Sequence, residues 1–304
     1  MDVAQTCVLP ERGIIEVAGA EARAFLQGLI TNDMDLVSPV RAISAALLTP
    51  QGKFLFDFLI AQLGEAFLLD CEAARLPDLV KRLNFYKLRA KITVRDASAY
   101  FLVAALLGQK GLSELDLPAR PGFARPWQGG IIFTDPRSAA MGARMLLPPD
   151  ALSALGRSGT SSSAGEYQVL RVELGIAEGK NDIAVEKYFL LEANFEELNG
   201  VDFKKGCYVG QELVSRMKHR GAVRKRILPV SITGPSPAPG TPVMAAGREV
   251  GVLHSCIGAR GLAFLRLRAL APGAPELKCG EARLTLILPD WLTLTFAETA
   301  DEQD

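Results

Sequence analysis

Two apolar runs, residues 45–48 and 54–60, are separated by only T-P-Q-G-K. A link that short, with Pro and Gly inside it, is a tight turn, and it returns the second run antiparallel to the first. The pattern recurs through the first third of the chain. Residues 13–17, 67–71, 92–95 and 100–106 read as strands. Residues 20–30 and 75–84 have helical spacing, through Ala24, Phe25, Leu29 and Ile30 in the first and Leu76, Leu79, Val80 and Leu83 in the second. Hairpin-like turns outnumber crossover helices, so the expected fold class is α+β with antiparallel sheets.

At 304 residues the chain exceeds one small core, and two or three packed units are expected. Pro and Gly break the pattern at 118–137, and 156–165 (G-R-S-G-T-S-S-S-A-G) has the composition of a flexible loop. A helix over 166–174 follows. The clearest boundary signal is G-P-S-P-A-P-G at 234–240. Beyond it, short strand-like pieces at 249–253, 262–267, 282–288 and 292–296 suggest a small closed or sandwich-like β domain. The division expected is an α+β region over 1–230, in two intertwined lobes, and a β domain over 231–304, ending in an acidic tail at 298–304.

Composition excludes some classes. The formal net charge is zero, which argues against a whole-surface nucleic-acid binder. No apolar run is long enough to span a bilayer, so no membrane partner is expected. The first residues, M-D-V-A-Q-T-C-V-L-P-E-R-G, lack a basic leader and an apolar signal core, which predicts a cytoplasmic protein. Five cysteines, widely spaced and without a C-x-x-C pair, read as reduced thiols. With only His219 and His254 as histidines, no sequence-local metal site is expected.

Charge is concentrated in one segment. From Lys204 to Arg226 there are eight Lys or Arg residues against one acid, Glu212. A solvated basic face and an anion site both fit that count. Inside it lies Cys207, with Lys204 and Lys205 before it, Gly206 and Gly210 around it, and a helix expected from Gln211. Neighbouring ammonium groups and a helix N-terminus favour a thiolate. The alternative is a buried, inert sulfur. A Cys–His hydrolase needs a partner that neither His219 nor His254 is placed to supply from sequence.

The run L-N-G-V-D-F-K-K-G-C-Y-V-G-Q-E, residues 198–212, resembles the signature of the folate-binding YgfZ family, relatives of the glycine-cleavage T-protein, an aminomethyltransferase. F-L-Q-G-L-I-T-N-D at 25–33, P-Q-G-K-F-L-F-D at 50–57 and L-R-V-E-L-G-I at 170–176 join it in the same order, so the resemblance covers nearly the whole chain. It implies three lobes around a central hole that binds tetrahydrofolate or a one-carbon derivative, with a C-terminal β-barrel. It also implies a role in assembly or repair of iron–sulfur clusters in client enzymes, tRNA-modifying ones included. Carried over by position, Glu173 recognises the pterin, and Arg224 and Arg226 lie near the anionic end of the folate. Cys207 becomes the functional thiol, with Lys205 as its tuner.

The chain also departs from the aminomethyltransferase pattern. Two adjacent acids follow the glycine turn in that class, whereas here the pair is Phe56-Asp57. With Asp57 alone to serve the cofactor, the departure favours cluster work over glycine cleavage. Two alternatives stay open: a folate-dependent one-carbon transferase without glycine-cleavage activity, and a tRNA-binding accessory protein using the basic segment on phosphates, although direct nucleic-acid binding is not the expectation. The partners expected are folate and iron–sulfur client or assembly proteins.

Overall fold

The turn at T-P-Q-G-K closes as expected: Gly52 takes φ 72° and its N–H bonds the Thr49 carbonyl at 2.8 Å. The computed structural model describes residues 6–155, 161–162, 164–221, 223–292 and 294. Strand Ile43–Leu48 pairs antiparallel with Phe54–Leu63, and Ala66–Glu72, Arg12–Ala18 and Thr93–Asp96 extend the sheet in that order. All six residues of Ile43–Leu48 are buried, so this strand is covered on both faces. Helices Ala22–Gln27 (α1) and Leu76–Lys87 (α2) cover one face, where Leu26, Leu79 and Leu83 meet Val17, Phe58 and Leu69.

The opposite face presents Ile14, Leu59 and Leu68 to a second sheet, through Val103, Phe133 and Leu146. That sheet runs Ser161–Ser162, Thr6–Val8, Leu102–Leu107, Gly142–Leu147, Gly130–Thr134, Ala124–Trp127, with helix Gly108–Glu114 (α3) beside it. Helices Ala164–Glu173 (α4) and Gly179–Asp182 (α5) pack toward the third unit, and Gln211–Arg220 (α6) precedes it. The third unit is a closed six-stranded antiparallel barrel formed by Lys225–Thr233, Arg260–Arg266, Arg248–Ile257, Pro242–Ala245, Leu277–Cys279 and Ala282–Leu286.

Two breaks read from composition do not separate units. Within 118–137, Ala124–Trp127 and Gly130–Thr134 form a hairpin, with Gln128 at φ 46° and Gly129 at φ 77°. Two consecutive positive φ values make the turn whose twist suits a two-residue hairpin. Pro126 is tolerated because its strand is the sheet's edge. The G-P-S-P-A-P-G segment connects two barrel strands, so the barrel starts at Lys225 and not at 231. Pro and Gly mark a turn inside a domain as strongly as a linker between domains. Most of the 156–165 loop, most of the strand expected at 292–296 and the acidic tail lie outside the described residues.

Candidate functional site: a stapled cysteine loop and a buried ion network

The signature segment is fixed to the end of α1. The Thr31 hydroxyl donates to the Gly200 carbonyl at 2.7 Å, and the Asn32 amide to the carbonyls of Ser44 and Asn199 at 2.7 and 2.8 Å. The Asp202 carboxylate caps the next turn by accepting from the backbone N–H groups of Lys204 and Lys205. Lys205 then folds inward. Its Nζ donates to the carbonyls of Gln27, Ile30 and Asn32 at 2.9, 2.6 and 2.7 Å. These three carbonyls lie at and just beyond the helix end, where carbonyls lose their intrahelical partners. Burial lowers the Lys205 ammonium to about 8, while Asp33 and Asp202 pull it back up.

This corrects the role expected for Lys205. An ammonium has three donors, and all three are committed to carbonyls, so none remains for the sulfur. Lys205 is a staple, not a tuner of Cys207. Gly210 has φ 84°, and a Cβ there would meet the Thr49 carbonyl at 2.5 Å, so glycine is required where the loop crosses the P-Q-G-K turn. Gly206 has open space and no such requirement. Between these fixed points Cys207 is exposed. Lys205→Met should cost about 3 kcal/mol of unfolding free energy, the order expected for leaving buried carbonyls unpaired. Urea denaturation checks it, and a loss below about 1 kcal/mol would contradict the staple.

The cofactor residues expected from sequence have different surroundings. Glu173 is exposed at the end of α4. Arg226 is already engaged, with Nη1 2.6 Å from Glu197 Oε1 and 2.8 Å from Asn194 Oδ1, so the expectation that it serves a folate tail is corrected: it ties the barrel to the segment that follows the turn at Leu190–Ala193. Arg224 is exposed just before the first barrel strand. His254 bonds the Tyr188 hydroxyl at 2.9 Å and is a satisfied, half-buried group.

Asp57 lies at a narrow cavity it shares with Arg12, Arg137, Ser44, Phe195 and Leu198. Its Oδ1 accepts from the Gly179 N–H at 3.2 Å. Burial raises its carboxyl to about 6, with Arg12 opposing and Glu178 adding to the rise. Because the folded value exceeds the unfolded one, Asp57 favours the fold below about pH 4 and loses that contribution as pH rises through 6. Asp57→Asn should therefore stabilise the protein by about 2 kcal/mol at neutral pH and by nothing at pH 4. Thermal melts at both pH values test this, and an equal effect at both would refute it.

Behind the cavity lies a network that sequence reading missed. Arg12 Nε meets Asp70 Oδ1 at 2.6 Å, and its Nη1 meets Glu178 Oε1 at 3.3 Å. Arg137 grips Asp135 through Nε and Nη2 and reaches Glu178 at 3.2 Å. The Tyr167 hydroxyl accepts from Arg137 and Arg144 and donates to Glu178 at 2.9 Å. Arg171 pairs with Asp182 at 2.6 Å, and the Ser255 hydroxyl donates to the other Asp182 oxygen at 2.6 Å. The network spans both sheets, α4, α5 and the barrel. Burial opposes charge on Glu178, but the guanidiniums of Arg12, Arg137, Arg171 and Arg144 outweigh it and hold the carboxyl well below the usual range. A signal was present in sequence: Asp70 in F-L-L-D-C and Arg144 in G-A-R-M-L-L interrupt runs otherwise apolar on both faces.

Known proteins decide the family. A mouse iron–sulfur cluster assembly factor, IBA57, is 36% identical over 95% of this chain and 86% of its own length. The chain belongs to the IBA57 family of iron–sulfur cluster assembly factors. Human IBA57 is 34% identical over 93% of the chain and 84% of its own. The family described as "CAF17, C-terminal beta-barrel domain" matches residues 224–294, which agrees with the barrel start at Lys225. The aminomethyltransferase T of the glycine cleavage system from Bartonella henselae superposes with a TM-score of 0.76, at 18% identity, over 94% of this chain and 85% of that one. The IBA57-family chain thus has the aminomethyltransferase fold expected from its signature. The cytoplasmic setting expected from the first residues is corrected: the mouse, human and fungal IBA57 relatives are all named mitochondrial.

Proposed function

We propose that this protein supports iron–sulfur cluster assembly through the thiol of Cys207, and that a reduced folate binds beside Asp57. The observation carrying the first half is the display of Cys207: an exposed sulfur on a loop whose neighbours are pinned by Lys205, Asp202 and Gly210. Thiolate is a soft ligand for iron and a nucleophile, and a fixed loop presents it to a partner at little further entropic cost. The clients proposed are iron–sulfur enzymes, tRNA-modifying ones among them. Cells lacking the native gene test this when supplied with the Cys207→Ser protein.

The donor set at the cavity suits a pterin. A carboxylate accepts paired N–H bonds from such a ring, and Asp57, titrating near 6, is ionised at neutral pH. Phe195 supplies an apolar wall. Bound tetrahydrofolate would supply a one-carbon or redox-active ring at this position. Because the cavity is narrow, binding should also alter hydrogen exchange in Ala193–Leu198. Titration calorimetry with tetrahydrofolate should show Asp57→Asn weakening the complex by about 1.5–3 kcal/mol, the value of a charged hydrogen bond. Glu173→Gln should leave the affinity unchanged; a loss confined to Glu173→Gln would move the pterin to the outer end of α4.

A further inference from the structure

The outermost strand of the first sheet, Thr93–Asp96, pairs on one side only, and α2 ends beside it in N-F-Y-K-L-R-A-K, residues 84–91. The buried line of α2 is Leu76, Leu79 and Leu83. Phe85 is 73% exposed and Leu88 is 88% exposed. Leu88 has φ 45°, a conformation rare for leucine, at the helix end. Tyr86 is half-buried and stands edge-on to Phe85 with ring centroids 5.6 Å apart.

Lys81, Arg82, Lys87, Arg89 and Lys91 flank these residues in sequence, and no acid occurs between residues 79 and 95. Among the described residues, no ion pair engages any of the five. The acids on the elements around it include Asp78 in the first turn of α2, Asp96 at the end of the edge strand, Glu21, which accepts from the Lys91 backbone N–H, and Glu16, which pairs with Arg95. The Cys207 loop packs at the opposite edge of the sheet, where Thr31 joins Ile43–Leu48. The two surfaces are therefore separate.

We propose that this patch is a peripheral membrane contact, with Phe85 and Leu88 entering the interface of an anionic bilayer and the five cations facing its head groups. Charge complementarity requires an anionic partner, and the apolar geometry selects among anionic partners. Protein interfaces seat their anchors in pockets and are depleted in lysine, whereas these side chains protrude and three of the five cations are lysines. A nucleic acid would stack on open ring faces, and here Phe85 alone offers one, since Leu88 has no ring and Tyr86 is half-buried. An apolar tip combined with a polybasic ring supplies the two signals that stable surface anchoring needs. Among the described residues no helix is long and apolar enough to cross a bilayer, so the contact is with its surface.

The test is co-sedimentation of the full chain with vesicles of phosphatidylcholine alone and of phosphatidylcholine mixed with phosphatidylserine. The expected result is binding only to the mixed vesicles, weakened by added salt, since exposed charges are screened. Phe85→Ser/Leu88→Ser should weaken it at least tenfold, and Lys87→Gln/Arg89→Gln roughly twenty- to thirtyfold, at about fivefold per cation. Phe85, Leu88 and Arg89 are exposed and Lys87 is half-buried at the helix end, and both double variants should melt as the wild type does, which separates lost binding from lost folding. Failure to bind the mixed vesicles overturns the proposal, as does binding that both variants retain. Capture of RNA or of polyglutamate through these same residues, without vesicle binding, also overturns it.

Discussion

Glu178→Gln should lower the unfolding free energy by about 3 kcal/mol at neutral pH, among the largest losses from any single substitution in this chain. The carboxylate contacts Arg12 and Arg137, accepts the Tyr167 hydroxyl, and stands 3.8 Å from Arg171. Glutamine keeps the shape and removes the charge, leaving buried guanidiniums short of a counterion. Breaking such a pair from one side typically costs about 3–5 kcal/mol. The lower end is expected here because Glu178 itself raises the Asp57 carboxyl. With Glu178 neutral, Asp57 ionises more readily and replaces part of the lost charge.

The pH dependence gives a second readout. The Glu178 carboxyl is depressed in the folded state, so its contribution is present above the ordinary glutamate value of about 4.5 and is lost as pH falls below it. The wild type should therefore lose stability on acidification more steeply than Glu178→Gln. Urea melts at pH 7 and pH 4 check both claims. A loss below about 1 kcal/mol at pH 7, or parallel acid slopes, would show that the network does not depend on this carboxylate.

Much of the first sheet was legible because its strands alternate or run apolar between short turns, and T-P-Q-G-K leaves no room for a crossover. The staple was not. Lys205 sits in a basic run, and nothing in K-K-G-C says which lysine turns inward; that choice follows from the uncapped end of α1, some 175 residues earlier, between Lys205 and Ile30. The ion network was hidden for the same reason. Its members come from both sheets, two helices and the barrel, and only the fold makes neighbours of Arg12, Arg137, Tyr167 and Glu178. Arg226 illustrates the converse. A cation in a basic stretch looks available for a ligand, until Glu197 and Asn194 are found already holding it.

Cys207→Ser should change function without changing the fold. The side chain is exposed, and surface substitutions away from caps and ion networks usually alter stability by less than about 0.5 kcal/mol. Serine preserves size and hydrogen bonding but is a much poorer soft ligand and nucleophile at neutral pH. Pulsed alkylation of the native protein should label Cys207 well before Cys7, Cys71 and Cys279, which are buried. Burial also raises the Cys71 thiol to about 12, so its thiolate is scarce at any working pH.

The most direct measurement supplies cells lacking the native gene with wild-type or Cys207→Ser protein at matched levels. Activities of iron–sulfur enzymes are then read against those of cluster-free enzymes in the same extracts. The expected result is restoration by the wild type, none by Cys207→Ser, and unchanged cluster-free activities throughout. Equal restoration by both proteins would contradict the central claim and leave Cys207 as an exposed residue without a part in cluster assembly.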